Sequence, residues 1–130
     1  MMTKRINSRA KGASGEREAA SWLFYNLKLD VMPERNLEQV RSGGGDLVGV
    51  GCFCVEVKRC QTLAIKKWWD QTLKSAEDRG EDPVLMFRKN KDSWKFIVHN
   101  DLKILAEKDF RIFAKNRLED IGYYNTLCAS

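Results

Sequence analysis

Histidine and proline are scarce in this chain: among 130 residues there are one His and two Pro, at His99, Pro33 and Pro83. The four cysteines, Cys52, Cys54, Cys60 and Cys128, include no CxxC pair. With that spacing missing and a single imidazole available, a structural zinc site is not expected. Cys52 and Cys54 lie two apart in a strand-like run, so they face one side of it and are read as reduced thiols. No apolar run is long enough to span a bilayer, which argues against a membrane-spanning helix. Met1 to Lys11 is polar and basic without an apolar segment, which argues against a secretory signal. The expectation is an intracellular, cytoplasmic protein without a membrane partner, acting in the host cytoplasm if the chain is phage-encoded. Repeats, low-complexity tracts and a dividing linker are also missing, and the length suits one domain.

What is present supports a packed interior. Hydrophobic residues make up 43% of the chain, and the 32% charged residues are too mixed in sign for a disordered polyion. Lys and Arg outnumber Asp and Glu by 23 to 18, a net charge of +5. That excess fits a polyanionic partner better than an acidic one, although solubility alone would also account for it.

Residues 1–13 read as a basic, mobile arm. Ser14 reads as an N-cap with Glu16 and Glu18 in the first helical turn, where carboxylates suit the dipole. Ala19, Ala20, Leu23, Phe24 and Leu27 recur at helical spacing, so a helix is expected over about 14–29. Val31 to Val40 reads as extended with an irregular middle after Pro33. Ser42-Gly43-Gly44-Gly45 reads as a turn or loop. Two short valine-rich strands, Asp46 to Val50 and Cys52 to Lys58, turn at Gly51. Ala64 to Arg79 is helical, with Gly80 as the stop. Strands follow at Val84 to Arg88 and Trp94 to Val98, joined by a polar hairpin loop. Asn100 reads as the cap of a helical region reaching about residue 121, with a break at Asp109 and Phe110. Trp68 and Trp69 are adjacent, so one is expected in the core and the other at a dimer contact or stacked on a base. The fold class is α/β, a small mixed β-sheet flanked by helices.

The chemistry centres on Asp46 and on Glu56-Val57-Lys58. Side chains alternate along a strand, so Glu56 and Lys58 share a face. Asp46 opens the preceding strand and can lie beside Glu56. Two carboxylates in a cleft suit a hard cation such as Mg²⁺. Such a cation polarises a phosphoryl oxygen and acidifies a bound water. Lys58 can orient or deprotonate that water and offset charge at the phosphorus. A solvated charge pair and a turn aspartate are the plainer alternatives for these residues. The surrounding Val48, Val50, Val55 and Val57 argue for the chemical reading, because charge on a core-type strand pair is costly unless paired or metal-bound.

Gly43-Gly44-Gly45-Asp46 followed by Val55-Glu56-Val57-Lys58 resembles the PD-(D/E)xK nuclease superfamily, with Gly45 where that motif has proline. Lys11-Gly12-Ala13-Ser14-Gly15-Glu16-Arg17-Glu18 is similar to the opening of the archaeal-type Holliday junction resolvases. Val40-Arg41-Ser42-Gly43 resembles their basic approach to the aspartate. Gln71, Gly80, Pro83-Val84-Leu85, Arg88 and Trp94-Lys95-Phe96 keep the family's order. The likeness covers about 11–98, and 99–130 reads as a helical extension of the same domain.

The resemblance implies a restriction-endonuclease-like αβββαβ core and a dimeric, Mg²⁺-dependent endonuclease cutting branched DNA, with Mn²⁺ able to substitute. It adds Glu16 to Asp46 and Glu56 as a metal ligand; read from the residues alone, Glu16 compensates the helix dipole. Gln71 could hydrogen-bond the nucleophilic water or simply face solvent. Lys4, Arg5, Arg9 and Lys11 suit an arm that meets backbone phosphates. Arg41 and Ser42 belong to a loop that meets phosphate or is a plain turn. Arg59, Lys66 and Lys67 extend positive charge past the Glu56 strand. A restriction- or repair-type nuclease acting on duplex or flapped DNA is the alternative, and a non-catalytic DNA-binding module is the second.

Overall fold

The computed structural model describes residues 7–37, 44–59 and 61–125, with side chains from residue 14 onward. The expected helix opens the chain as α1, Asn7–Leu27. Its apolar stripe buries Ala19, Ala20, Leu23 and Leu27. It begins seven residues before Ser14, so Ser14 is not its N-cap, and its first turn holds no acidic residue. Glu16 and Glu18 therefore lie mid-helix. Nothing in Asn7 to Ala13 stops a helix from extending: there is no proline, and Gly12 costs only about 1 kcal/mol.

Three strands follow: β1 (Glu34–Arg35), β2 (Leu47–Val48) and β3 (Phe53–Arg59). Helix α2, Ile65–Arg79, ends as expected on Gly80 in the left-handed conformation, where the glycine N–H reaches the Ala76 and Glu77 carbonyls. Then come β4 (Asp82–Arg88), β5 (Lys95–Ile97) and α3 (Glu107–Asp120). Strand order in the sheet follows the sequence, β1-β2-β3-β4-β5. Every neighbouring pair is antiparallel except β3 and β4, whose parallel register sets Glu56 beside Leu85 and Lys58 beside Phe87. α2 is the crossover that a parallel pair requires.

Alternation along β4 separates two cores. Val84 and Met86 join Val55, Val57 and the apolar stripes of α1 and α3 on one side. Leu85 and Phe87 join Ile97, Trp68 and Trp69 under α2 on the other. The expected α/β class, a mixed sheet between helices, is what this architecture shows.

Four local expectations are corrected. Trp68 and Trp69 are both buried, at 8% and 2% exposure. Trp68 packs against Phe87, while the Trp69 indole N–H reaches Asn100 Oδ1 at 3.0 Å, so the second indole is buried with its donor satisfied. Asn100 is thus the acceptor for Trp69 and caps no helix. α3 begins seven residues later, after Leu105 has paired with Phe96. Asp109 and Phe110 mark no break. Asp109 sits in the first turn of α3, and Phe110 stacks on Phe96 with centroids 3.9 Å apart in the main core. Phe110, Ala114 and Leu118 are fully buried, so α3 completes the core beside α1. Finally, β2 is shorter than expected, and Val48 is partly exposed while Val50 is buried. No described helix is long and apolar enough to cross a membrane.

Candidate active site

Asp46 is fixed from three directions. Its N–H donates to the Val55 carbonyl at 2.8 Å, and its own carbonyl accepts from the Asn36 N–H at 2.9 Å. Its carboxylate Oδ2 accepts from the Val57 N–H at 2.8 Å. The Asn36 side chain adds a bond to the Gly45 carbonyl at 2.9 Å. Gly45 is required by the same closeness: a Cβ there would lie 2.6 Å from the Val55 carbonyl oxygen. The position where the superfamily motif has proline admits no side chain in this arrangement.

β3 presents Glu56 and Lys58 on its α2 side, as alternation demands, with Val55 and Val57 turned into the opposite core. Glu56 is 5% exposed, a rare degree of burial for a carboxylate. Burial, and then the charge of the adjacent Asp46 carboxylate and a hydrogen bond to it, push the Glu56 carboxyl up to about 8. Ser75 on α2 and Lys58 pull the other way: the Ser75 hydroxyl donates to Glu56 Oε1 at 2.9 Å, and the Lys58 ammonium lends positive charge. Asp46, Glu56 and Lys58 are thus brought together around the β2–β3 hairpin.

Two acidic side chains pressed into hydrogen-bonding contact beside a lysine offer hard oxygen donors that gain from a cation between them. That donor chemistry fits a divalent ion. Among the described residues, however, no group of three or more His, Cys, Asp or Glu is arranged to hold one. Glu16 thus completes no three-carboxylate group with the pair: it lies on α1, whose apolar stripe packs against Val55 and Val57, and its Oε1 accepts from Arg35 Nε at 2.6 Å.

The remaining sequence-derived positions divide clearly. Gln71 is exposed and lines a groove on α2 with Lys66, Lys67, Asp70 and Lys74. Lys66 is bridged to Asp70 at 2.8 Å, whereas Lys67 faces solvent. Arg59 does not extend a free positive track: it is half-buried and donates to Glu18 Oε1 at 2.7 Å. Arg88 engages the other oxygen of Glu18, and its guanidinium lies 5.2 Å from the Trp94 ring centroid. Glu18 therefore clamps the ends of β3 and β4 to α1. Lys4, Arg5, Arg41 and Ser42 lie outside the described residues, as do the side chains of Arg9 and Lys11. Sequence reasoning missed Asn36 and Ser75. No local pattern marks either one, since each acts through a partner distant in sequence.

A family model described as "Phage putative PDDEXK endonuclease" matches residues 7–128. That match includes the C-terminal stretch set apart by sequence reading, in agreement with the burial of α3. Among solved structures, the chain is similar to the Holliday junction resolvase Hjc of the archaeal hyperthermophile Archaeoglobus fulgidus. Identity is 19% and the TM-score 0.51, over 75% of this chain and 85% of that one. At such identity the likeness is one of fold. No curated protein sequence matches the chain. With an acidic pair and a lysine gathered on the central hairpin of a resolvase-like fold, and a family match along nearly its whole length, the chain belongs to the phage PDDEXK endonuclease family of PD-(D/E)xK nucleases.

Proposed function

We propose that the protein is a divalent-metal-dependent, structure-selective DNA endonuclease, and that it resolves Holliday junctions as a homodimer. The observation that carries the reading is the contact between Asp46 and buried Glu56, with Lys58 two residues along the same strand face. Asp46 and Glu56 would hold Mg²⁺, with Mn²⁺ as a substitute. Glu16 enters as a third oxygen donor on the family resemblance, and its bond to Arg35 would have to open. A bound Mg²⁺ supplies Lewis acidity toward a phosphoryl oxygen and acidifies its water.

The chain's own residues do the rest. The Val57 N–H and the Val55 carbonyl hold Asp46 rigid, so its carboxylate need not be reorganised during reaction. Lys58 would hold or accept a proton at Nζ next to the attacked phosphate and offset the negative charge gathering there. Lys67 lies on the exposed face of α2, where a DNA backbone entering the site would pass, with the basic N-terminal residues as a further source of phosphate contacts. The resolvase activity named for the Archaeoglobus fulgidus structure supports a branched substrate, and paired nicks would follow from two sites in a dimer.

The test is cleavage of a four-way junction, a flap, single-stranded DNA and linear duplex, with Mg²⁺ compared with Ca²⁺. Paired nicks in the junction are expected with Mg²⁺, and both Asp46→Ala and Glu56→Ala should lose them. Preferential cutting of duplex or flap would instead assign a restriction- or repair-type nuclease. DNA binding with a steep salt dependence and no nicking would assign a non-catalytic module. Full junction cleavage by either variant would reject the assigned site.

A further inference from the structure

We propose that Ser75 is a positioning residue that fixes the orientation of Glu56 for cation binding. The proposal rests on the reading of Asp46 and Glu56 as metal ligands. It starts from the two hydroxyls on α2. Thr72 is fully buried and returns its hydroxyl to its own helix, donating to the Trp68 carbonyl at 2.8 Å. That is the ordinary way a helical hydroxyl is satisfied. Ser75 has the same option but leaves the helix, crossing to the sheet to donate to Glu56 Oε1 at 2.9 Å. It is the one described side chain outside β3 and the Asp46 hairpin that hydrogen-bonds Glu56.

The direction of this bond matters. A hydroxyl can donate or accept, but a carboxylate oxygen only accepts. Ser75 therefore presents its proton to Oε1 and leaves the remaining lone pairs of the Glu56 carboxylate for a cation. By occupying Oε1 it also stops the carboxylate from turning about its terminal torsion, which is otherwise broad. α2 is well placed to hold this anchor steady: Trp68, Trp69, Thr72 and Ala76 are buried against the sheet, and Ser75 lies at the edge of that face toward β3. Gln71, one turn earlier, faces the groove instead.

The test compares Mg²⁺ binding by calorimetry, in the full-length chain without DNA, for the wild type, Ser75→Ala, Ser75→Thr and Asp46→Asn, with junction nicking as a second readout. Ser75→Ala should bind Mg²⁺ about ten-fold more weakly, the usual effect of removing a hydrogen bond behind a metal ligand. Ser75→Thr, which keeps the hydroxyl, should recover most of that loss. Wild-type Mg²⁺ affinity in Ser75→Ala overturns the proposal, even if its folding stability falls, because Ser75 would then be structural only. If Asp46→Asn also binds as the wild type does, the metal site itself is misassigned and both readings fall. Loss in Asp46→Asn with no change in Ser75→Ala removes the Ser75 role alone.

Discussion

Replacing Glu56 with Gln should stabilise the metal-free protein at alkaline pH while abolishing catalysis. Glu56 is raised from 4.5 to about 8, first by burial and then by Asp46. A carboxyl raised on folding stabilises the native state below its unfolded value, and that contribution is lost as pH climbs through the folded value. Wild-type protein in EDTA should therefore lose stability between about pH 5 and about pH 9. The full shift would correspond to an upper bound of ~5 kcal/mol, and proton sharing with Asp46 and relaxation around the pair reduce the expected loss to about 2 kcal/mol. In Glu56→Gln the amide can donate to Asp46 and accept from Ser75, so the neutral side chain keeps both contacts without the repulsion. The variant should be flat over the same range and exceed the wild type by about 2 kcal/mol at the alkaline end, or roughly 6–8 °C in Tm for a domain this size. Urea denaturation in EDTA at several pH values measures this, and repeating it with Mg²⁺ should restore the wild type but not the variant. The reasoning is refuted if wild-type stability in EDTA holds or rises from about pH 5 to about pH 9, or if Glu56→Gln is the less stable protein at the upper end.

Four further outcomes are expected. Glu16→Gln should lower Mg²⁺ affinity and nicking, whereas Glu18→Gln should lower stability by about 1 kcal/mol through Arg59 and Arg88 and leave nicking intact; calorimetry and denaturation separate the two. Replacing Lys67 and Lys74 together with Ala should reduce the salt slope of DNA binding by about two, with Mg²⁺ affinity unchanged, as read by titration at several salt concentrations. Cys52 and Cys54, whose thiols burial pushes up to about 11 and about 12, should resist alkylation at neutral pH in the native protein and react once it is unfolded, as mass mapping will show. Phe110→Ala should cost about 3–4 kcal/mol by opening a hole opposite Phe96, measured by the shift of the urea midpoint.

Periodicity and turn chemistry made most of the architecture legible. The apolar stripe of α1, the valine-rich hairpin, the Gly80 stop and the two later strands all follow from patterns local to a few residues. Alternation on β3 placed Glu56 and Lys58 on one face before any contact was known. The misreadings have two sources. Asn100, Trp69 and Arg59 each carry a local signal that a distant partner overrides, whereas Ser14 lies inside a helix that nothing before it stops. Helix propagation passes Ser14, Trp69 takes the Asn100 oxygen, and Glu18 takes Arg59. Propensity is a weak prior, and tertiary contacts worth a kilocalorie or more outweigh it.

The order of the chain determined the acidic pair, its lysine and the strand face they share, because side-chain alternation is a property of the backbone. What only tertiary structure decided is how these groups are held. Val55 and Val57 clamp Asp46 through main-chain bonds that no side-chain identity encodes, and the same closeness leaves room at position 45 for glycine alone. Folding of α2 across β3 brings Ser75 to Glu56 over nineteen positions. The raised Glu56 carboxyl belongs to that assembly, since burial and a neighbouring charge exist only once the hairpin and both cores have closed.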